Sequence, residues 1–310
     1  MFFILTTGRS GSASIAKYLS RSNELVCLHE PEPVLIKEAT LYARGEFSQA
    51  QMVELLHRTR PKSIGGRSYG ESNQKLAFII PALLEAFPGC KLIWLVRDGR
   101  SVVNSIYSLG WYDLNFLQDS LWQKYLVTAP DVGEMVNDVW RDMSSFSKCC
   151  WYWSFVNRCI KKELDLLPRN QWQLQKIENV NCKSLLKFLH STVRAKDVPW
   201  VNKKKKSRSV QDWHGWSEEM KQEFQLICGN VMHELYPGWR DGDGNWVDFH
   251  EISPLTKAKH YFQDKLVDVQ GKQSWIYKFV SWPTRLLFRS RSEAILEKFA
   301  LVYRWFSGES

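Results

Sequence analysis

No stretch of about 18 consecutive apolar residues occurs in this 310-residue chain, so the sequence offers no membrane-spanning helix. The opening run Phe2-Phe3-Ile4-Leu5 is broken by Thr6-Thr7-Gly8-Arg9, which is too short for a signal-peptide core or an anchor. Cysteine is sparse and odd in number. The seven (27, 90, 149, 150, 159, 182 and 228) include no Cys-x-x-Cys pair, which argues against a disulfide framework or a zinc site and for a reducing cytoplasm. No His/Asp/Glu cluster has metal-ligand spacing, so no metal is expected. Internal repeats are absent too, and the only low-complexity tract is a run of lysines.

What is present is an ordinary globular composition, 44% apolar and 24% charged, enough for one large core with appendages. The net charge of +9 points to an anionic ligand or surface without choosing among nucleotide, nucleic acid and membrane. Its distribution is uneven. Lys203-Lys204-Lys205-Lys206-Ser207-Arg208 forms one cluster; Arg285, Arg289, Arg291 and Arg304 lie among aromatic and aliphatic residues in the tail. Nucleic-acid binding has only this charge behind it, and no nucleic-acid partner is expected.

Residues 2–6 read as a short buried strand, followed by a Gly/Ser-rich turn and a helix through Ile15 and Leu19. Leu25–Leu28 suits a second strand, residues 74–87 an apolar helix bearing Pro81, and Lys91–Val96 a buried strand after Pro88-Gly89. Trp172–Ile177 suits a further strand, and Ser217–Leu235 a helix with an apolar stripe from Met220 to Leu235. Strands alternating with helices predict an α/β fold with a parallel sheet covered by helices on both faces. The core is expected to fill residues 1–250, with 251–310 as a basic, aromatic and helical C-terminal extension.

Two segments carry chemistry. In Thr6-Thr7-Gly8-Arg9-Ser10-Gly11-Ser12-Ala13-Ser14, glycines allow a tight turn around an anion, and the following helix aims its first amides at it. A Walker A loop would place Lys after Gly11, where Ser12 stands, so the grip on nucleoside triphosphates is missing. The alternative is that this turn merely joins strand to helix. The second segment, Ile93 to Ser105, is a buried strand ending in Arg97, with Ser105 eight residues on. Arg97 at a strand's carboxyl end faces the ligand crevice, and Ser105 inside a helix beginning near Arg100 can meet the same phosphate.

In this order and spacing the segments resemble those of the superfamily of sulfotransferases that use 3'-phosphoadenosine 5'-phosphosulfate (PAPS), in a motif style similar to its carbohydrate and bacterial members. The resemblance spans about residues 2–240 and includes Phe87-Pro88, the segment Lys176-Ile177-Glu178-Asn179 where many members have an Arg-Tyr-Glu-Asp-like sequence, and the stretch Trp213–Tyr236. Glu178 is given no role, because its segment departs from the usual form. The resemblance implies a P-loop-NTPase-like fold and a metal-free transfer of a sulfuryl group. It implies that Arg9 contacts the bridging and sulfuryl oxygens, that Ser10, Gly11, Ser12, Ala13 and Ser14 hold the 5'-phosphate, and that Arg97 and Ser105 hold the 3'-phosphate. Lys203 and Arg208 would add contacts from a closing loop, with a solvated charge run as the alternative.

Sulfuryl transfer, like phosphoryl transfer, needs in-line geometry, charge stabilisation and a base for the acceptor proton. Glu30 in His29-Glu30-Pro31-Glu32-Pro33 is the first candidate, returning from the second strand toward Arg9; carbohydrate sulfotransferases have a similar Glu-Pro at this distance. His29, Glu32 and Glu71 are alternatives. The helix containing Trp151, Tyr152 and Trp153 is expected to bury one face, leaving one or two rings for an acceptor, which would be a small molecule, a saccharide or a glycolipid. The tail (Trp275, Tyr277, Trp282, Arg285, Arg289) has the mixture of a membrane-surface helix, which would make the enzyme peripheral at the inner membrane surface. A P-loop kinase and a non-catalytic binder of nucleotide fold remain as rival readings.

Overall fold

The computed structural model describes residues 1–113, 120–191, 212–241 and 246. Lys203, Arg208, the tail after residue 246 and the proposed boundary at 250 lie outside the described residues.

The elements run β1 (Phe2–Leu5), α1 (Ser12–Leu19), β2 (Leu25–His29), α2 (Ile36–Ala43), α3 (Gln49–Thr59), β3 (Ser63–Ile64), β4 (Arg67–Ser72), α4 (Ile80–Ala86), β5 (Lys91–Val96), α5 (Gly99–Ser108), α6 (Leu121–Lys124), α7 (Asn137–Asp142), α8 (Ser145–Leu164), β6 (Trp172–Lys176), α9 (Cys182–Phe188) and α10 (Glu218–Leu235). The sheet has the order β2-β4-β1-β5-β6, parallel throughout, with β3 antiparallel on β4.

Strand alternation sorts side chains to two faces. Phe3, Leu5, Leu92, Trp94 and Val96 pack toward one core cluster with residues of α3, α4, α5, α8 and α10, whereas Phe2, Ile4, Ile93 and Leu95 join α1 and α9 on the other. The result is the expected α/β architecture, a parallel sheet covered by helices on both faces. No helix among the described residues is long and apolar enough to cross a membrane.

Two local expectations need correction, and one strand was missed. The apolar run 74–87 is not one helix: Gln74–Phe78 forms a 3-10 turn, and α4 starts afresh with Pro81 in its first turn, where a missing amide hydrogen costs nothing. The aromatic run in α8 is not half exposed, because Trp151, Tyr152, Trp153, Phe155 and Val156 are all buried between the sheet side and α10. Finally, β4, a central strand, gave little signal in the sequence. Its Arg-Ser-Tyr-Gly-Glu-Ser is polar, and Gly70 is required because the ring of Phe2 occupies the space a Cβ would need, at 2.0 Å.

Candidate active site

The two anion-type segments meet at the carboxyl edge of the sheet. After β1 the chain turns through Gly8 (φ 74°), Arg9 (φ 53°) and Gly11 (φ 84°), all in the left-handed region. The turn is clamped on both sides: a Cβ at Gly8 would lie 2.5 Å from Gln74 Oε1, and one at Gly11 would lie 2.8 Å from the Ile177 side chain. Within it, the buried hydroxyls of Thr6 and Ser10 share a short hydrogen bond. Gly11 is the N-cap of α1 and supplies no side-chain oxygen, so the helix's first amides receive no cap from it.

Arg9 and Arg97 come from strands that are neighbours in the sheet. Arg97 Nη1 donates to the Arg9 carbonyl at 2.9 Å, and Arg9 Nε donates to Ser105 Oγ at 3.1 Å. Neither guanidinium has a carboxylate partner among the described residues. Partial burial and the charge of Arg97 both lower the pKa of Arg9. Two cations held together without a carboxylate partner among the described residues, beside the start of α1, can attract an anion. Ser105 lies on α5, whose N-cap Asp98 accepts from the Arg100 amide at 2.8 Å.

Glu30 follows β2 in a left-handed conformation (φ 48°), and its amide donates to the Ser72 carbonyl at 2.9 Å. Four non-glycine residues among those described have positive φ, and two of them are Arg9 and Glu30. Strain of this kind concentrates at functional sites. Gln74, which the sequence pattern placed in a helix, lies between Glu30 and the turn at Gly8. Its Nε2 makes a long contact of 3.5 Å to Glu30 Oε1, its Oε1 accepts from the Tyr152 hydroxyl at 3.3 Å, and its side chain lies against Gly8. Neighbouring Lys75 is buried, donating to the Tyr125 carbonyl at 3.0 Å and Thr40 Oγ1 at 3.4 Å. Burial lowers its pKa to about 7, with Glu30 pulling upward and Arg44 downward.

The other carboxylates differ. Glu71 is wholly enclosed and its oxygens are occupied: Arg60 Nε donates at 2.5 Å, Arg60 Nη2 at 3.1 Å, Tyr69 Oη at 3.0 Å and Asn73 Nδ2 at 3.2 Å. A carboxylate so engaged has no access to an acceptor. Instead, the group ties down the loop after Glu30, since Arg60 Nη2 also donates to the Pro33 carbonyl at 2.8 Å and Asn73 Nδ2 to the Val34 carbonyl at 2.9 Å. Glu32 is exposed, and His29 is exposed with its Nδ1 3.2 Å from the Ser72 carbonyl. Ser12 and Ser14 are buried, and Ala13 is half-buried, at the start of α1. Trp111 meets Tyr152 edge-on at 5.5 Å and is core, while Trp122 is half-buried beside Lys75 at 5.4 Å.

No protein-family model and no curated protein matches the sequence. Among solved structures, the chain is similar to a sulfotransferase from Alicyclobacillus acidocaldarius, at 17% identity and TM-score 0.45 over 76% of this chain and 94% of that one. It is also similar to the sulfotransferase domain from the curacin biosynthetic pathway, at 15% identity and TM-score 0.40 over 85% of this chain and 97% of that one.

Proposed function

We propose that the chain is a sulfotransferase that takes a sulfuryl group from PAPS and gives it to a hydroxyl or amine of a small-molecule, saccharide or glycolipid acceptor. The observation that carries this reading is the convergence of Arg9, Arg97 and Ser105, from segments 88 residues apart, at one sheet edge, with no carboxylate partner for either guanidinium among the described residues. A donor bearing phosphate at two ends needs two such groups, and a nucleoside triphosphate site would need the lysine that Ser12 replaces.

PAPS supplies an activated sulfuryl group on a phosphate leaving group. Arg9 and the residues Ser10 to Ser14 hold its 5' end, and Arg97 with Ser105 holds the 3'-phosphate. Glu30 accepts the proton of the attacking hydroxyl or amine as the new bond to sulfur forms and the sulfur–oxygen bond to the phosphate breaks. Gln74 orients Glu30, and Arg9 receives the charge that develops on the leaving phosphate. Contact with a membrane surface through the tail is part of the same proposal.

The test is transfer of labelled sulfate from PAPS to a panel of saccharide, glycolipid, phenol and amine acceptors. Transfer that disappears in Arg9→Ala and falls sharply in Glu30→Gln is the expected result. Magnesium-dependent phosphoryl transfer from ATP, with no use of PAPS, would replace this reading with a kinase.

A further inference from the structure

Glu178 lies in the short 3-10 turn Ile177–Asn179 that follows β6, outside the anion site just described. The last register pair between β5 and β6 is Val96 with Lys176, so the ladder ends immediately before Arg97. Beyond that point the Asp98 amide has no strand to bond to, and Glu178 Oε1 takes it at 2.8 Å. The other carboxylate oxygen accepts from the Tyr236 hydroxyl at 3.1 Å. Tyr236 is the C-cap of α10, and the amine of Lys176 sits 4.7 Å from its ring centroid. One carboxylate therefore joins three segments: the β5–α5 junction that carries Arg97, the end of β6 and the end of α10.

The same junction is held from its other side. Arg100 forks onto the Asp98 carboxylate, with Nε at 3.0 Å from Oδ1 and Nη2 at 2.6 Å from Oδ2. It also donates from Nη1 to the Trp239 carbonyl at 3.0 Å and lies 4.2 Å from the ring centroid of Trp213. The Asp98 amide is thus linked through Glu178 to Tyr236, and its side chain through Arg100 to Trp239 just past α10, and Arg97 is the residue between that fixed point and the sheet. An arginine with four rotatable side-chain bonds recognises a phosphate only as well as its backbone is aimed.

We infer that Glu178 is a positioning residue for recognition of the donor's 3'-phosphate, acting through the Asp98 amide on Arg97. This inference rests on the proposed donor and adds a residue for which the sequence gave no role. The carboxylate is needed as a hydrogen-bond acceptor and not for its charge, which opposes a phosphate near Arg97. Glutamine can replace it, its Oε1 taking the Asp98 amide and its Nε2 facing the Tyr236 hydroxyl. Alanine cannot.

The experiment is calorimetric titration of the full chain with 3'-phosphoadenosine 5'-phosphate and, separately, with AMP, which lacks only the 3'-phosphate. Wild type, Glu178→Ala, Glu178→Gln and Tyr236→Phe are compared, each first checked for cooperative thermal unfolding. The expected result is that Glu178→Ala loses about tenfold in affinity for the bisphosphate and under about twofold for AMP, while Glu178→Gln stays within about threefold of wild type for both. Tyr236→Phe should fall between them. Equal losses for both nucleotides, or a glutamine variant as poor as alanine, would overturn the inference. A wild-type protein that does not prefer the bisphosphate would instead remove the proposed donor, and the inference with it.

Discussion

Lys75 gives the sharpest test of the interior of this site. Its amine is buried, held by the Tyr125 carbonyl and Thr40 Oγ1 and flanked by the rings of Phe78 and Trp122, with no carboxylate in ion-pair contact among the described residues. Burial lowers its pKa from 10.5 to about 7. Because the folded value is the lower one, the unfolded chain binds the proton more tightly, and folding is penalised wherever that proton must be given up or buried. The penalty is fully present below pH 7 and fades as pH rises toward 10.5. A gap of this size corresponds to an upper bound of about 5 kcal/mol at 1.36 kcal/mol per unit. Lys75→Met removes it while Thr40 Oγ1 still donates to the Tyr125 carbonyl at 2.7 Å. The two lost lysine hydrogen bonds offset about 1–2 kcal/mol of that gain. Lys75→Met should therefore be more stable than wild type at pH 6, with the difference shrinking by about 2–3 kcal/mol between pH 6 and pH 9. Urea unfolding of both proteins at pH 6, 7.5 and 9 measures it. A difference that does not change with pH, or a variant less stable at pH 6, would refute the reasoning.

Other consequences follow from the same contacts. Glu71→Gln leaves the Arg60 guanidinium buried without its counter-charge and should cost about 3–5 kcal/mol in denaturant unfolding, marking Glu71 as an anchor of the loop after Glu30. Gly11→Ala must accommodate both the left-handed backbone and the Ile177 side chain at 2.8 Å, and should lose about 1–3 kcal/mol of stability together with most of the affinity for 3'-phosphoadenosine 5'-phosphate, read by thermal unfolding and calorimetry.

Much of this layout was legible in the sequence because it rests on local pattern. Phe2–Leu5 and Lys91–Val96 are apolar runs closed by turn residues, and the glycines around Arg9 mark a left-handed turn. Arg97 and Ser105 could be placed on a strand end and on the helix that follows it because the apolar run and its turn residues mark both elements. Central strand β4 was missed since its Arg-Ser-Tyr-Gly-Glu-Ser sequence has no apolar alternation, and the burial of Glu71 is made possible by the Arg60 guanidinium outside the strand. Gln74 and Lys75 were absorbed into a supposed apolar helix. Their partners Glu30, Tyr152 and Tyr125 lie 44, 78 and 50 positions away, which no periodicity reveals. Glu71 read as a spare base for the same reason: its acidity was visible and its enclosure was not. The run from Trp151 to Phe155 read as half exposed because aromatic residues on every side of a helix are expected only where both the sheet and another helix cover it, as the sheet side and α10 do here.

The proposed function requires a site that prefers a nucleotide carrying a 3'-phosphate. The direct measurement is calorimetric titration of the protein with 3'-phosphoadenosine 5'-phosphate beside AMP and ATP with magnesium, repeated on Arg97→Ala. The bisphosphate should bind far more tightly than either competitor, and that advantage should collapse by about tenfold or more in the variant. Equal binding of all three, or a preference for ATP with magnesium untouched by Arg97→Ala, would contradict it.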